Sequence, residues 1–432
     1  MRRKIEEELL KWKGREGRKP LLIRGARQVG KTYAALQFGK AHYRDAAYFN
    51  FEGSGEAGRV FERDLNSGRI VRELSALRGA PILPEDTLMI FDEIQACERA
   101  LASLKYFCEE APEYHIIAAG SLLGVAVNRE RYSFPVGKVD MMTLHPLDLE
   151  EFLWAAGNEA LAAVIREAFE CWTPLSLHER AMDLYRLYLV VGGMPRPVLE
   201  YVERGDFDFV MDAQRTLADA YVADMAKYAA PQETARIIAA WNSLPAQLAK
   251  ENRKFQYKLI RSGARAHQYE TAIAWLETAG VIHKCVRVRH GLAPLAAYAA
   301  PEEFKLYMAD TGILRSKFEI APGHILNSPP GFDGFKGALT ENYVMQALTA
   351  NGFRPCYWSS NGRAELDFVL QDSRGDIIPL EVKAAENVRS KSLRTFLSAY
   401  DAPYSVRMSG RNFGFENGIK SVPLYAAFCL RP

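Results

Sequence analysis

Phosphate chemistry is indicated by a short stretch in which two glycines, a lysine and a threonine occur at a characteristic spacing. Gly25 is followed by Gly30, Lys31 and Thr32 in the pattern G-x-x-x-x-G-K-T, which is typical of a phosphate-binding loop. The glycines let successive backbone N–H groups face phosphate oxygens, and the following helix adds its positive N-terminal end. We expect Lys31 to contact the β- and γ-phosphates and Thr32 to bind Mg²⁺. The residues expected to hold the nucleotide are Gly25, Ala26, Arg27, Gln28, Val29, Gly30, Lys31, Thr32 and Tyr33.

A pair of carboxylates ends the next apolar run that resembles a buried strand. This run covers residues 87–91 and is followed by Asp92 and Glu93. Buried parallel strands carry acids mainly at their C-terminal ends, where the ligand crevice lies. We therefore expect Asp92 to hold Mg²⁺ through a water, and Glu93 to orient and deprotonate the attacking water as general base.

The surrounding elements predict an α/β core with a doubly wound parallel sheet. Apolar strand patterns at residues 21–24, 46–51, 87–92, 115–120 and 139–144 alternate with helical segments. Ser121 follows the fourth of these strands, where it can contact the γ-phosphate as a catalytic sensor or cap the next helix. Both interpretations remain open.

A second constellation lies near the C-terminus, on a predicted strand pair. Glu381 and Lys383 are two residues apart and share a strand face, and the hairpin brings Asp367 beside them. Asp…Glu-x-Lys is the active-site pattern of restriction-endonuclease-like nucleases. Asp367, Glu381 and Glu341 of the preceding helix are the predicted metal ligands for Mg²⁺ or Mn²⁺, and Lys383 is predicted to help activate water. The alternative is a nuclease-like fold without activity, in which these residues form an internal salt-bridge network.

Residues 232–290 have the pattern of a winged helix-turn-helix. The predicted recognition helix covers residues 266–279, and the first strand of the wing begins at Gly280. Between Lys250 and Arg289 there are nine Lys or Arg residues and three acids, whereas the whole chain has a net charge of only +2. This local excess favours a DNA-binding surface over a surface for protein contacts. The candidate contacts are Arg261, Arg265, His267, Gln268, Arg287 and Arg289.

Length and composition suit a protein with several globular domains. The chain has 432 residues, of which 48% are hydrophobic. The predicted domains are an ATPase core (1–148), a helical segment (149–231), a winged helix-turn-helix (232–300) and a restriction-endonuclease-like domain (301–432). Six cysteines without a C-x-x-C pair favour reduced thiols, and no apolar run reaches membrane-spanning length. We expect a cytoplasmic protein that does not associate with a membrane.

The loop sequence also resembles a known family. Residues 25–32 are similar to the G-x-R-Q-V-G-K-T loop of prokaryotic AAA-type ATPases of the archaeal-ATPase and STAND-like group, which carry a C-terminal domain of unknown function. Residues 91–95, 119–121 and 144–152 fit the same group, the last through an L-x-P-L-x-x-x-E-F signature. The resemblance implies ATP as the nucleotide, and a homo-oligomer in which a neighbour's arginine completes the site.

One position departs from the family pattern. Where members commonly have Gly-Arg before the last strand of the core, this chain has Gly137 and Lys138. If that arginine senses the γ-phosphate, Lys138 keeps the charge but loses the two-pronged contact of a guanidinium. Arg129 and Arg131 are the alternative candidates for an arginine that acts on a neighbour.

Two functions from different classes follow from these features. The first is an ATP-driven, DNA-associated machine with a nuclease-like domain. The second is a nucleotide-dependent switch or scaffold that binds protein partners. Salt-sensitive DNA binding favours the first function, and ATP-dependent oligomerisation without DNA affinity favours the second.

Overall fold

The computed structural model describes residues 1–53, 55–120, 135–250, 253–327, 333–360, 364–384 and 391–432. The chain forms two compact units. The first contains residues 2–145 and 278–280, and the second contains residues 146–277 and 281–432. Each unit is built around one β-sheet.

The first unit is an α/β layer structure with a parallel sheet, as the alternating strand and helix patterns predict. Its strands are β1 (Leu21–Arg24), β2 (Asp45–Asn50), β3 (Thr87–Asp92), β4 (His115–Gly120) and β5 (Asp140–Thr143). Its described helices are α1 (Ile5–Lys13), α2 (Lys31–His42), α3 (Gly55–Arg59), α4 (Ser67–Arg78) and α5 (Glu98–Glu110). The strand order is β2-β3-β4-β1-β5, and every pairing is parallel.

The sheet of the first unit buries both of its faces, which explains why its strands read as continuous apolar runs. Leu88 and Ile90 of β3 pack on one face in a cluster with side chains from α1 and α2. Met89 and Phe91 of the same strand face the other way, into a cluster with side chains from α4 and α5. The alternation along one strand therefore joins two helical layers to one sheet.

The second unit begins with a series of helices and ends in a mixed sheet. Its helices are α6 (Leu149–Ala155), α7 (Glu159–Cys171), α8 (His178–Val191), α9 (Pro195–Arg204), α10 (Phe207–Tyr228), α11 (Pro231–Leu248), α12 (Glu270–Thr278), α13 (Thr311–Lys317), α14 (Pro322–Asn327), α15 (Asp333–Ala350) and α16 (Lys391–Leu397). Its strands are β6 (Ile282–Val288), β7 (Ala299–Met308), β8 (Cys356–Ser359), β9 (Glu365–Gln371), β10 (Ile377–Val382), β11 (Ser405–Ser409), β12 (Gly414–Glu416) and β13 (Ile419–Pro423).

Strand β6 lies inside the C-terminal sheet, and this differs from the sequence interpretation. The eight strands have the order β12-β13-β11-β10-β9-β8-β6-β7, so β6 pairs antiparallel with β7 and parallel with β8. The sequence interpretation made this strand the start of a wing and placed a domain boundary at residue 300. It did not include the pairing of β6 with β8, because strand partners far along the chain leave no local signal.

The helix α6 begins with a capping box, which gives a structural explanation for part of the family signature. The side chain of Asp148 accepts a hydrogen bond from the backbone N–H of Glu151 at 2.9 Å, and the Glu151 carboxylate accepts one from the Asp148 N–H at 3.3 Å. Glu150 forms an ion pair with Arg166 of α7. These three acids therefore stabilise the start of the helix and its packing.

The glycine pair between α8 and α9 lies in a tight turn that no larger residue can form. A Cβ on Gly193 would lie 2.0 Å from the carbonyl oxygen of Leu147, and a Cβ on Gly192 would lie 2.6 Å from Oδ1 of Asp310. The Gly193 N–H donates to Oδ2 of Asp310 at 2.6 Å. This turn is thus held by a buried carboxylate from the segment between β7 and α13.

Within the described ranges, none of the helices is both long enough and apolar enough to cross a membrane.

Candidate functional site

The phosphate-loop residues connect the C-terminal end of β1 to the first turn of α2. Gly25, Gln28 and Gly30 have φ angles of 150°, 61° and 97°, which curl the backbone between the strand and the helix. A Cβ on Gly25 would lie 2.2 Å from the carbonyl oxygen of Leu144, so this position requires glycine. The predicted nucleotide-binding residues, from Gly25 to Tyr33, therefore lie together at the C-terminal edge of the sheet, as the motif predicts.

Lys31 is buried within this loop. Its Nζ donates hydrogen bonds to the carbonyl oxygens of Gly25, at 3.0 Å, and Ala26, at 2.8 Å. Burial lowers the pKa of the Lys31 ammonium to about 8, although the negative charges of Glu93 and Asp92 oppose the shift. An anionic ligand at the loop would compensate the unfavourable burial of this charge.

Thr32 and Asp92 form the centre of the candidate metal site. The Thr32 hydroxyl lies 2.9 Å from Oδ1 and 3.0 Å from Oδ2 of Asp92, which ends β3 and is buried. A hydroxyl and a carboxylate are oxygen ligands of the type that Mg²⁺ prefers, and Mg²⁺ usually keeps several waters when it binds with phosphates. The two predicted ligands fit the ion, because they already lie beside the phosphate loop.

Glu93, the predicted general base, has an unusual backbone conformation. It lies directly after β3 with φ 50° and ψ 43°, in the left-handed region that residues other than glycine seldom occupy. Its carboxylate accepts a hydrogen bond from the side-chain amide of Gln95. Such conformations persist where the surrounding structure enforces them, and they concentrate at functional sites.

Two residues of β2 contribute to the site but were missed by the sequence analysis. The Tyr48 hydroxyl donates to Oδ2 of Asp92 at 2.7 Å, and the Asn50 amide donates to the Tyr48 hydroxyl at 3.3 Å. Desolvation and this bond to Asp92 raise the pKa of Tyr48 to about 12. The sequence shows that β2 ends in polar residues, but it does not show that β2 lies next to β3. Only that pairing brings these residues to Asp92.

The position of Lys138 is not that of a sensor for a γ-phosphate bound to the same chain. Lys138 precedes β5 and therefore lies at the N-terminal edge of the parallel sheet, whereas the phosphate loop follows the C-terminal end of β1. Its Nζ forms an ion pair with Oε1 of Glu109 at 2.8 Å. Ser121, Arg129 and Arg131 lie outside the described residues, so their predicted roles stay predictions.

In the second unit, Asp367, Glu381 and Lys383 come together on the neighbouring strands β9 and β10. The antiparallel register places Leu380 opposite Phe368, with Glu381 and Asp367 as the next residues along their strands. Lys383 Nζ lies 2.9 Å from Oε1 of Glu381. Oε2 of Glu381 is buried and has no hydrogen-bond partner in the part of the chain that the structure describes.

Glu341, the third predicted metal ligand, is instead neutralised by cations. It forms an ion pair with Arg253, lies 3.5 Å from Nζ of Lys305, and accepts a hydrogen bond from the Tyr307 hydroxyl. Lys305 is almost fully buried and also contacts Glu365 at 2.6 Å. The charge of Glu341 is therefore balanced by two basic side chains, and its role as a metal ligand stays a prediction.

The metal site predicted from Glu341, Asp367 and Glu381 is not assembled. Among the residues that are described, no group of three or more His, Cys, Asp or Glu side chains is arranged to hold a metal ion. Asp367 accepts a hydrogen bond from the backbone N–H of Val382 at 2.7 Å. The cluster thus combines acids with ammonium and guanidinium groups rather than acids alone.

The predicted DNA contacts divide into an exposed group and a paired group. Arg261, Arg265, His267 and Gln268 are exposed on the turns that precede α12. Arg287 is instead half-buried and contacts both carboxylate oxygens of Glu303 at 3.1 Å, and Arg289 pairs with Glu302 at 3.1 Å.

Two features of this region differ from the winged-helix interpretation. The predicted recognition helix begins at Glu270 rather than at Ala266, so the exposed basic residues lie before it. Beside these residues is a cavity of about 460 Å³ whose lining includes the carboxylates of Glu270, Glu277 and Glu302. Lys284 also lines this cavity and Arg289 pairs with Glu302, so the exposed cations of the basic turns are the better candidate surface for a phosphate backbone.

Comparison with protein families places the phosphate loop and both carboxylates of β3 in a known domain. Residues 17–153 match the family model described as "AAA domain". Residues 182–322 and 336–427 match two domains of unknown function, DUF8612 and DUF4143. No curated protein matches the chain.

Several solved structures are similar to the chain, at low identity. The Walker-type ATPase PABY2304 of Pyrococcus abyssi is 15% identical, with 73% of this chain and 95% of that chain covered and a TM-score of 0.43. The Aeropyrum pernix ORC2 protein is 13% identical, with 80% and 91% covered and a TM-score of 0.36. AMPPCP-bound DnaA from Aquifex aeolicus is 15% identical, with 63% and 86% covered and a TM-score of 0.27. These likenesses are too distant to carry an argument about function.

The AAA family match and the geometry at β1 and β3 agree. Residues 17–153 match the AAA domain model, and within them the phosphate loop, Thr32 and Asp92 lie together, as nucleotide binding by such a domain requires.

Proposed function

We propose that this chain, whose first unit contains an AAA-type P-loop domain, is a Mg²⁺-dependent ATPase that couples its nucleotide state to DNA binding. The observation that carries the ATPase part is the convergence of Lys31, Thr32 and Asp92 at one edge of the sheet. Lys31 would contact the β- and γ-phosphates, and Glu93 would orient the attacking water and accept its proton. When bound, Mg²⁺ supplies the positive charge that offsets charge developing on the phosphates.

The DNA part of the proposal is supported by the basic turns before α12. Arg261 and Arg265 are exposed, and neither forms an ion pair with a carboxylate in the described ranges. Exposed guanidinium groups that are not paired with a carboxylate of the described residues are suited to phosphate oxygens. Arg287 and Arg289 are not among the proposed DNA contacts, because they already form ion pairs with Glu303 and Glu302.

The test is DNA affinity as a function of salt, with ATP, with ADP and without nucleotide. The double variant Arg261→Ala, Arg265→Ala should bind DNA more weakly, and the slope of log K against log salt should fall by about 2, since each phosphate contact contributes about 0.9. The matched control is Arg59→Ala, Arg72→Ala, which removes two exposed charges from α3 and α4. Equal loss in both double variants would mean a general charge effect and would contradict the assignment.

If the wild-type chain does not bind DNA at low salt, a different function is favoured. The alternative is a nucleotide-dependent switch that binds protein partners, with a silent C-terminal domain. It would appear as ATP-dependent self-association without DNA affinity, measured by sedimentation at several protein concentrations. A neighbour's arginine completing the site would make turnover depend on protein concentration as well.

A second candidate activity, metal-dependent DNA cleavage, is supported by Oε2 of Glu381, which lies beside Asp367 and Lys383 and has no hydrogen-bond partner among the described residues. Because Glu341 is neutralised, any metal there would depend on Asp367 and Glu381. Cleavage of labelled DNA with Mg²⁺ or Mn²⁺ that Asp367→Asn abolishes would support this activity. Binding without cleavage would leave the cluster as an internal ion-pair network.

We also propose that the protein acts in the cytoplasm. All six cysteines are free thiols, as expected for a reducing compartment.

A further inference from the structure

Arg3 precedes helix α1 and contacts the phosphate loop, although the function proposed above does not use it. The side chain is 8% exposed. Its Nη1 donates to the carbonyl oxygen of Val29 at 3.0 Å, and its Nη2 donates to the carbonyl oxygen of His145 at 2.6 Å. A buried guanidinium is costly unless its N–H groups find partners, so these contacts define the position of the side chain closely.

The contact with Val29 determines the orientation of one peptide group in the loop. In a trans peptide the C=O and the following N–H point in opposite directions, so holding the Val29 oxygen directs the Gly30 N–H away from Arg3. Gly30 has a φ of 97°, and glycine moves between such conformations at little cost. Without Arg3, the peptide group between Val29 and Gly30 could therefore adopt a second orientation.

We propose that Arg3 is a positioning residue, which holds the Val29–Gly30 peptide so that the Gly30 N–H is available to the phosphates of the nucleotide. The inference rests on the proposed nucleotide binding. Arg3 acts on the ligand only through the backbone of the loop, and it does not take part in the hydrolysis step.

The other contact of Arg3 anchors this arrangement to the end of the sheet. The carbonyl of Leu144 lies against Gly25 at the start of the loop, and the next carbonyl, that of His145, accepts from Arg3. Leu144 in turn donates its N–H to the Arg24 carbonyl at 2.8 Å. The segment 144–145 therefore supports the loop at its first glycine directly, and at its last glycine through Arg3.

The test separates nucleotide binding from turnover. Arg3→Met should raise the Kd for MgATP and MgADP, and the KM for MgATP, by about tenfold. This is the loss expected when one charge-assisted hydrogen bond, from the Gly30 N–H to the phosphates, is less available. The kcat should stay within about twofold, because Arg3 donates its hydrogen bonds to the carbonyls of Val29 and His145, whereas the hydrolysis step is assigned to Asp92 and Glu93. Inorganic triphosphate should lose affinity by the same factor, since the effect is on phosphates. Arg3→Lys, which keeps a donor for Val29, should restore part of the affinity.

The control is Arg2→Met, which removes a neighbouring charge whose guanidinium is exposed and lies 3.9 Å from Glu7. A lower Tm for Arg3→Met with unchanged Kd values would overturn the proposal, because it would assign Arg3 a purely structural role. If Arg3→Met does not fold, Arg3→Gln and Arg3→Lys are compared at equal stability. A KM that Arg3→Gln raises and Arg3→Lys partly restores supports the proposal, and KM values equal to that of the wild type in both variants would overturn it. A wild-type chain that binds no ATP would refute the proposed function itself.

Discussion

At the scale of single residues, the buried charge of Lys31 makes nucleotide affinity depend on pH. A bound triphosphate raises the pKa of the ammonium above its free value of about 8, so binding takes up a proton once the pH exceeds that value. We expect the Kd for MgATP to be nearly constant below pH 8 and about tenfold weaker at pH 9. Titration calorimetry between pH 7 and pH 9 measures this, and Lys31→Arg should flatten the profile. A flat wild-type profile would contradict the burial of the charge.

Glu93 offers a second test at the same scale. Glu93→Gln keeps the size of the side chain but cannot accept a proton, so turnover should fall by about 100-fold or more, while ATP still binds. Single-turnover kinetics with measured ATP affinity separate the two effects. Glu110→Gln, at the exposed end of α5, is the matched control. Normal turnover in Glu93→Gln would remove Glu93 as the base.

The same residues show how far sequence analysis reaches. Lys31, Thr32, Asp92 and Glu93 were identified because each lies within a short contiguous pattern. Tyr48 was missed, since its contact with Asp92 depends on which strand lies next to β3.

At the scale of elements, the turn between α8 and α9 depends on the burial of Asp310. Burial raises the pKa of its carboxyl to about 6, although the N–H groups of Gly193, Ile313 and Gly312 oppose the shift. The folded state therefore holds this proton more tightly than the unfolded chain does. The resulting stabilisation is fully present below the unfolded pKa of 3.8 and is lost as the pH rises through about 6.

This pH dependence can be measured with Asp310→Asn. The amide loses one acceptor, so the variant should be less stable than the wild type at every pH. The free-energy difference between the two should shrink by about 2 kcal/mol from pH 4 to pH 7, because only the wild type carries the carboxyl. Urea unfolding at several pH values provides the measurement. A difference that stays constant with pH would mean that Asp310 titrates normally.

The glycine pair gives a prediction about packing in the same turn. Gly193→Ala places a methyl group 2.0 Å from the Leu147 oxygen, so the turn must move, and we expect a loss of about 3 kcal/mol or more in the free energy of unfolding. Gly334→Ala, in α15 with no atom within 4 Å of the new Cβ, is the control and should be nearly neutral. A stability of Gly193→Ala equal to that of the control would show that the turn adapts.

Elements whose partners are close in sequence were predicted better than those with distant partners. The parallel core follows from strands and helices that alternate along the chain. The acids of the C-terminal cluster were correctly placed on neighbouring strands, but the cations that neutralise Glu341 come from Arg253 and Lys305, far from it in sequence. No local pattern contains that information.

At the scale of the whole molecule, the pairing of β6 predicts which fragments can fold. A fragment of residues 232–300 should not unfold cooperatively, because it lacks β8 and almost all of β7. A fragment of residues 2–145 contains every strand of its own sheet and should unfold cooperatively. Circular dichroism with urea titration tests both fragments. Cooperative unfolding of residues 232–300 would restore the independent winged helix.

The position of β6 also has a consequence for synthesis on the ribosome. Val288 leaves the exit tunnel long before Cys356, yet β6 needs β8 on one side and β7 on the other. At a synthesis rate of roughly 5–20 residues per second, one edge of β6 stays unpaired for several seconds before β8 is available. Such an edge is a template for pairing with another chain. We therefore expect the nascent protein to depend on chaperones most strongly while this strand is waiting for its second neighbour.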